Sequence, residues 1–393
     1  MISVEEATRR VLALATPMPP EVRELKDALG RHMLAPAYAD LSQPPFNASS
    51  MDGYALGSMA TVGARYDLRA GEASAGHHFD GTLSPHEAVR IFTGAPVPNG
   101  VARVVLQEDV TLQDGQILIG NTLDLGPHIR PCGQDFVKGQ SFAPKWLSAN
   151  DLALLAAMNV PKITLAQRPK VAIIATGDEL VMPGERPNSD QIIASNIFAL
   201  KALVEAAGAT ARILPIARDT AADLQAVLEL ALTADVIVTI GGASVGDHDL
   251  VKTVAEEMGL DRAFYKIAMR PGKPLMAGRI QGRTLLGLPG NPVSAIVCAH
   301  LFLVPLLRAM QGDQSPTPKP KFALLAHEQP KNGPRAHYMR ATITHEGATA
   351  IAHIAADQDS ALLSVLTGAN ALVIAPSNCP ALPANSLVPY LSL

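Results

Sequence analysis

Between residues 168 and 313 the hydrophobic pattern alternates between short unbroken apolar runs and stretches with a helical period. A run of four to six apolar residues is typical of a strand buried on both faces, and the spacing of Ile197, Leu200 and Val204 is that of a helix. Strands that alternate with helices of about 10 to 15 residues indicate βαβ units. The pattern therefore predicts an α/β domain with a parallel-rich sheet. Its predicted strands lie at 171–175, 211–216, 235–240 and 284–288.

Two other segments have the composition and the short apolar runs that are typical of small β domains. Residues 45–144 are dense in Gly, Pro, Asn and Asp and carry short β-like runs at 88–92 and 104–106, which favours a small all-β module. Beyond a stiff Pro-rich linker at 314–321, residues 322–393 read as short strands with turns, as in a small β-barrel or sandwich. We expect four domains, bounded at 1–45 with 141–167, 46–140, 168–314 and 320–393.

Helix-start signals support this division. Ser3 followed by Glu6 is a capping box for a first helix, which also distinguishes the N-terminus from a signal peptide. Ser148 and Asp151 mark a second helix start. The longest apolar stretch, 293–307, is shorter than the ~18 residues of a membrane span. We therefore expect no membrane span.

Composition narrows the possible partners. The chain has 393 residues and a net charge of −4, which argues against a strongly basic nucleic-acid surface. Hydrophobic residues make up 48% but aromatic ones only 4%, so the core is mostly aliphatic, as suits covered parallel sheets. Three widely spaced cysteines fit neither a disulfide framework nor a metal site, and they point to a reducing cytoplasm.

Acidic and glycine-rich loops follow the predicted strands of the α/β domain. Because ligands bind at the carboxyl ends of such strands, these loops are the candidate site. Glu179 and Asp219 follow two strands, and the third is followed by GGASVGDHD (241–249), whose glycines and Ser244 suit phosphate oxygens. Neither the P-loop nor the dinucleotide pattern is present. The acids Asp247 and Asp249 could hold Mg²⁺ with substrate phosphates, or they could simply cap a helix.

A basic turn follows along the chain. Lys266, Arg270 and Lys273 surround a Pro-Gly turn and suit an oxyanion or a phosphate, although a solvated turn has the same composition. Pro292 opens the long apolar helix, a position where its missing N–H is tolerated.

Six motifs in order resemble the molybdopterin molybdenumtransferases, the family of the MoeA proteins and the gephyrin E-domain. They are SSMDGYA (49–55), TGAPVP (93–98), TGDEL (176–180), GGASVGDHD (241–249), PGKP (271–274) and LPGNPVS (288–294). The resemblance implies a dimeric multidomain protein in which 1–45 and 141–167 link and dimerise. It implies insertion of molybdate into adenylylated molybdopterin, with release of AMP and dependence on Mg²⁺.

The resemblance also implies roles for individual residues. Glu179, Asp219 and Asp249 form an acidic site, Asp219 and Asp249 hold the metal, and Asp52 and Asp135 reach it from the β insertion, across the dimer. Arg270, Lys273, Arg340 and Ser360 bind molybdate, with Ser364 competing for the last position. The remaining substrate-binding positions are Thr93, Gly241, Gly242, Ser244, Lys266, Pro289, Gly290 and Pro292.

Two other functions stay open at this point. A molybdopterin adenylyltransferase uses a related α/β fold but lacks the additional domains, and it would be the upstream partner of a molybdenum-inserting enzyme. A gephyrin-like scaffold would need no catalysis, yet the full set of acids is retained here. Molybdate and tungstate have the same charge and nearly the same size, so the sequence does not separate them.

Overall fold

The computed structural model describes residues 1–124, 126–242 and 250–393. They divide into two compact units, one made of residues 22–165 and the other of 1–21 with 166–393. The chain passes between the units within the strands Pro20–Glu24 and Lys162–Ala166.

Both predicted helix starts are present. The Ser3 hydroxyl accepts a hydrogen bond from the amide of Glu6 at 3.1 Å and begins the helix Val4–Leu12. The Glu6 carboxylate pairs with Arg9 and Arg10 instead of returning to the Ser3 amide, so only half of that capping box forms. At the helix Ala149–Ala157 the box between Ser148 and Asp151 is complete.

The unit 22–165 is built on a six-stranded sheet with an apolar core on both faces. Its central strands are buried because Val, Ile and Ala alternate sides on a pleated surface. In sheet order the strands are Arg103–Leu106, Gly53–Leu56, Glu87–Ile91, Arg65–Ala73, Gln116–Ile119 and Val110–Gln113. Short strands complete the unit at Ala37–Tyr38, Ala48–Ser49, Ile129–Arg130 and Ser141–Phe142, with 3₁₀ turns at Leu25–Asp27 and Gln107–Asp109.

The second unit contains the expected α/β domain. Four of its strands are parallel, as expected. Two further strands, Leu260–Tyr265 and Met276–Ile280, extend the sheet in antiparallel orientation, and the apolar runs did not predict them. In sheet order the strands are Thr210–Ile213, Lys170–Ala175, Val236–Ile240, Arg283–Leu288, Met276–Ile280 and Leu260–Tyr265. The helices of this domain include Asn196–Ala206, Ala221–Ala231 and Leu250–Glu257, and a small two-stranded pair joins Leu180–Val181 to Ile192–Ile193.

The long apolar helix is longer than the sequence indicated. It is continuous from Pro292 to Met310 and consists of the α-helix Pro292–Cys298, the π-helical turn Ala299–Leu303 and the α-helix Val304–Met310. Pro292 lies in its first turn, as predicted. The three segments together reach 19 residues, long and apolar enough to cross a membrane, but 72% of the stretch is buried inside the protein. It packs in the largest hydrophobic cluster, as a core helix does.

The C-terminal region closes into a five-stranded β-barrel, which confirms that prediction. Each strand pairs with two others around the ring, so no barrel edge is left open. A short helix, Leu363–Thr367, interrupts the strands where only turns were expected. Around the ring the strands are Ala336–Glu346, Thr349–Ile354, Lys321–Leu325, Leu387–Ser392 and Ala371–Ala375, and Met269–Arg270 pairs with the first of them.

Candidate active site

A cleft of about 1080 Å³ lies at the carboxyl ends of three adjacent parallel strands. The strands Lys170–Ala175, Val236–Ile240 and Arg283–Leu288 are neighbours in the sheet, so the loops that follow them meet at one edge. This is the place where open α/β sheets bind ligands. The predicted site residues that line the cleft are Glu179, Asp219, Gly241, Gly242, Pro289, Gly290 and Pro292.

The glycines in this cleft are required by close packing. A Cβ on Gly241 would lie 2.8 Å from the carbonyl oxygen of Thr176, and one on Gly242 would lie 3.0 Å from the Thr176 hydroxyl. Both glycines also have positive φ angles, which residues with side chains rarely adopt. The loops after the first and third predicted strands therefore pack closely at these glycines, and the Gly241 amide donates to the carbonyl of Leu288 at 3.2 Å.

The acidic residues of these loops stand on exposed positions in or beside the cleft. Asp178 and Asp219 tie two of these loops together, because the amide of Asp219 donates to the Asp178 carboxylate at 3.2 Å and the amide of Asp178 donates back at 3.4 Å. Glu179 and Asp219 line the cavity directly. Asp249 and Ser244 lie outside the described residues, so their predicted roles stay predictions.

The donor set suits a magnesium ion shared with substrate and not a closed metal cage. Within residues 1–124, 126–242 and 250–393, no three His, Cys, Asp or Glu side chains are grouped closely enough to hold a metal by themselves. Mg²⁺ often takes only one or two carboxylates, keeps several waters and completes its shell with phosphate oxygens. Glu179 and Asp219 fit that arrangement.

Lys266, Arg270 and Lys273 lie between the strands Leu260–Tyr265 and Met276–Ile280 of this sheet, and they do not line the cleft. Pro274 lines it, whereas Arg270 lines a second cavity of about 600 Å³ together with residues of the barrel. The Lys266 ammonium lies 4.9 Å from the centre of the Tyr265 ring, a cation–π contact. Lys273 is half-buried, and its carbonyl accepts from the amide of Ile267 at 3.0 Å.

Ser360 is brought to the mouth of the cleft by the loop 357–361. Its hydroxyl accepts from the side-chain amide of Asn291 at 2.9 Å, and its carbonyl accepts from the amide of Val293 at 3.1 Å. Ala361 and Asn291 both line the cavity. Ser364, the competing candidate, lies within the short helix Leu363–Thr367. Of the two serines, Ser360 is bound to a residue that lines the cleft, and which of them contacts molybdate stays a prediction.

Arg340 fixes this same loop from the barrel. Its side chain is only 2% exposed, and its guanidinium donates to the carbonyls of Asp359 at 2.7 Å and Asp357 at 3.3 Å. Gln358 accepts from both the backbone amide and Nε of Arg340. In this structure Arg340 thus holds the loop that presents Ser360.

In the unit 22–165, Asp52 and Thr93 form a hydrogen-bonded pair. One Asp52 carboxylate oxygen accepts from the Thr93 amide at 2.7 Å and from its hydroxyl at 2.8 Å. The two residues meet because Gly53 pairs with Ile91 on antiparallel strands. These bonds, aided by the charge of Arg90, lower the pKa of Asp52, so the exposed carboxylate stays ionised. Asp135 stands on a separate exposed turn, where its amide donates to the carbonyl of Gln43 at 3.0 Å.

Two polar residues that line the cleft, Asn196 and Asn291, and Asp178 beside it were missed by the sequence reasoning as individual site residues. Asp178 fixes the loop of Asp219, Asn291 holds Ser360, and the side-chain amide of Asn196 donates to the carbonyl of Gly290 at 2.7 Å. Asp178 and Asn291 sit inside motifs that were quoted, so their positions were available. Asn196 had no such signal, because it opens an ordinary helix.

Comparison with known proteins agrees with this architecture. Three family models match successive parts of the chain: the MoeA N-terminal region (domain I and II) at 2–159, a probable molybdopterin binding domain at 172–309, and the MoeA C-terminal region (domain IV) at 323–393. The molybdopterin molybdenumtransferase of Haemophilus influenzae is 34% identical over 83% of this chain and 82% of its own length. That of Bacillus subtilis is 31% identical over 95% of this chain and 90% of its own.

A solved structure shares the whole fold. The molybdopterin biosynthesis MoeA protein from Pyrococcus horikoshii superposes with a TM-score of 0.81 at 29% identity, covering 100% of this chain and 99% of its own. The matches extend over the β insertion, the α/β domain and the barrel alike. This chain belongs to the MoeA family of molybdopterin molybdenumtransferases.

Proposed function

We propose that this chain inserts molybdenum from molybdate into molybdopterin, a step of molybdenum cofactor biosynthesis, and that the pterin arrives adenylylated and leaves AMP behind. The observation that carries the proposal is the cleft itself. It brings two exposed carboxylates and the backbone at Gly241 and Gly242 together around a cavity of about 1080 Å³, with Ser360 of the barrel loop next to the lining residue Ala361. That volume is ample for a ligand larger than a mononucleotide.

The chain's own residues have distinct tasks in this proposal. The glycine-bearing loops at Gly241 and Gly242 approach the substrate phosphates closely, because they carry no side chain there. Asp219, with its predicted partner Asp249 and the neighbouring Glu179, would hold Mg²⁺ together with those phosphates, and the ion would supply charge neutralisation at the phosphate linkage. The pterin side is bounded by Pro289 and Pro292.

Molybdate is a tetrahedral dianion, so its end of the site needs donors and cations. Ser360 supplies a hydroxyl at the mouth of the cleft, and Arg340 keeps its loop in place. Arg270 adds positive charge from the second cavity, which it lines together with residues 357–359 of the same loop, and Lys273 directly precedes the lining residue Pro274. These residues form the proposed molybdate end.

We propose further that the protein acts as a homodimer in which the Asp52–Thr93 pair, with Asp135, completes the cleft of a second copy. The support is that Asp52 is ionised and exposed yet already fixed in orientation by Thr93. Co-expression of Asp52→Asn with Asp219→Asn subunits tests this. Mixed dimers contain one intact site and should recover activity that neither variant shows alone; no recovery would contradict shared sites.

The function is tested with purified protein, adenylylated molybdopterin, Mg²⁺ and molybdate. We expect AMP release that depends on molybdate and yields a pterin that activates an apo-molybdoenzyme. Nucleotide turnover with molybdopterin and ATP alone would instead indicate an adenylyltransferase. Absence of any turnover would favour a scaffold.

A further inference from the structure

Among residues 1–124, 126–242 and 250–393, the hydroxyl of Ser360 has one hydrogen-bond partner, the side-chain amide of Asn291. The distance from Asn291 Nδ2 to Ser360 Oγ is 2.9 Å. A serine hydroxyl has one proton to donate and lone pairs to accept with. Because Asn291 occupies a lone pair, the proton of Ser360 is directed away from Asn291 and remains available.

Ser360 cannot easily turn away from this arrangement. Its carbonyl is held by the amide of Val293 at 3.1 Å, and the preceding residues 357–359 are bound to the buried guanidinium of Arg340. The amide of Ala361 is in turn held by the Asp359 carboxylate at 2.8 Å. The loop is thus fixed on both sides of Ser360, so the direction of its hydroxyl depends mainly on Asn291.

We propose that Asn291 is a positioning residue that makes the Ser360 hydroxyl a hydrogen-bond donor to the molybdate oxyanion. This inference rests on the proposed function, since it assumes that molybdate binds at Ser360. A carboxamide suits this task because its NH₂ group can only donate, whereas a carboxylate could only accept. An aspartate at position 291 would accept a hydrogen bond from the Ser360 hydroxyl, so that this proton would no longer point to the oxyanion. It would also place a negative charge beside the oxyanion.

The chain offers a matched control in Asn196. Its side-chain amide also donates within the cleft, but to the carbonyl of Gly290 at 2.7 Å and not to Ser360. Asn196→Asp therefore makes the same isosteric change and adds the same charge to the same cleft. Any difference between the two variants isolates the contact with Ser360.

The test measures molybdate binding by equilibrium dialysis with labelled molybdate, and KM for molybdate in the AMP-release assay. We expect Asn291→Asp to weaken molybdate binding by about 10- to 100-fold, the effect of losing a hydrogen bond to a charged group. Asn196→Asp should weaken it far less. In a Ser360→Ala background, Asn291→Asp should weaken binding no more than Asn196→Asp does, because the hydroxyl it controls is gone.

Equal losses in the two Asp variants would overturn the proposal, and so would an Asn291→Asp effect that stays larger than the Asn196→Asp effect in the Ser360→Ala background. If Asn291→Asp melts early, Asn291→Ala serves in its place: a loss that disappears in the Ser360→Ala background supports the inference, and one that persists refutes it. Dialysis requires no turnover, so its result is separate from the proposed function, which fails only if the wild-type protein releases no AMP in response to molybdate.

Discussion

Replacing Gln358 by Ala tests whether the barrel holds the molybdate end of the cleft. The side-chain oxygen of Gln358 accepts from the backbone amide of Arg340 at 2.9 Å and from its Nε at 3.2 Å, while its NH₂ group donates to the carbonyls of Arg340 at 3.0 Å and Ala355 at 2.8 Å. The variant removes all four bonds and leaves a buried charged group short of one acceptor.

The size of the effect follows from those contacts. A hydrogen bond to a charged group contributes about 1.5–3 kcal/mol and a neutral one about 1 kcal/mol. The Arg340 carbonyl still accepts from the Ala355 amide at 2.9 Å, so the charged bond and two neutral ones are the net loss. The free energy of opening the loop 355–361 should therefore fall by about 3.5–5 kcal/mol.

Hydrogen exchange followed by mass spectrometry measures that opening locally. Since about 1.4 kcal/mol corresponds to a factor of ten, amides of the loop should exchange roughly 300- to 4,000-fold faster, or reach the unprotected rate. The Val293 amide should accelerate as well, because it is bound to the Ser360 carbonyl. KM for molybdate should rise in parallel.

Two controls separate this mechanism from general damage to the barrel. Gln358→Glu keeps an acceptor for both donors of Arg340 and should retain most of the protection. Thr342→Val, on the same strand, removes only an exposed hydroxyl bond to the Gly368 carbonyl and should change little. Loop exchange in Gln358→Ala at the wild-type rate, or equally fast exchange in Gln358→Glu and Gln358→Ala, would refute the reasoning.

Three further predictions concern other parts of the molecule. Asp219→Asn should lower the rate of AMP release by about 100-fold or more, because several kcal/mol of charge stabilisation are lost. The melting temperature should not change, because the carboxylate is exposed. A normal rate of AMP release would show that Asp219 does not belong to the site. Gly241→Ala should impair folding or substrate binding far more than Gly282→Ala, since both have positive φ but only the former meets a neighbouring backbone within 4 Å; similar melting and KM values would show that packing is irrelevant. Burial alone would raise the pKa of Asp151, but hydrogen bonds from Ser148 and Lys145 outweigh it and lower the pKa from 3.8 to about 2. The ionised carboxylate therefore contributes about 2 kcal/mol to the free energy of unfolding. This contribution is full above pH 4 and is lost as the pH falls through 2. Asp151→Asn should accordingly destabilise the protein at pH 7 and make little difference near pH 2, as followed by the fluorescence of Trp146, the single tryptophan; a pH-independent difference would contradict this.

Local signals in the sequence were reliable where one residue's chemistry decides the backbone. Ser148 and Asp151 form the capping box that their spacing predicts, and Pro292 stands in the first turn of its helix. The unbroken apolar runs are the buried parallel strands, because a strand covered on both faces needs apolar residues on both. The antiparallel strand Met276–Ile280 was missed, since a hairpin beside a parallel sheet leaves no distinct period.

What the sequence determined by itself, then, is the α/β domain with its flanking β domains, and the family, through six motifs in order. The tertiary structure decided which side chains share a site. It paired Asp52 with Thr93 through an antiparallel register, set Arg270 against a second cavity, and buried Arg340 beneath the loop of Ser360. Motifs fix residue types along the chain, but contacts between residues far apart in sequence depend on strand register and loop packing, which no local pattern encodes.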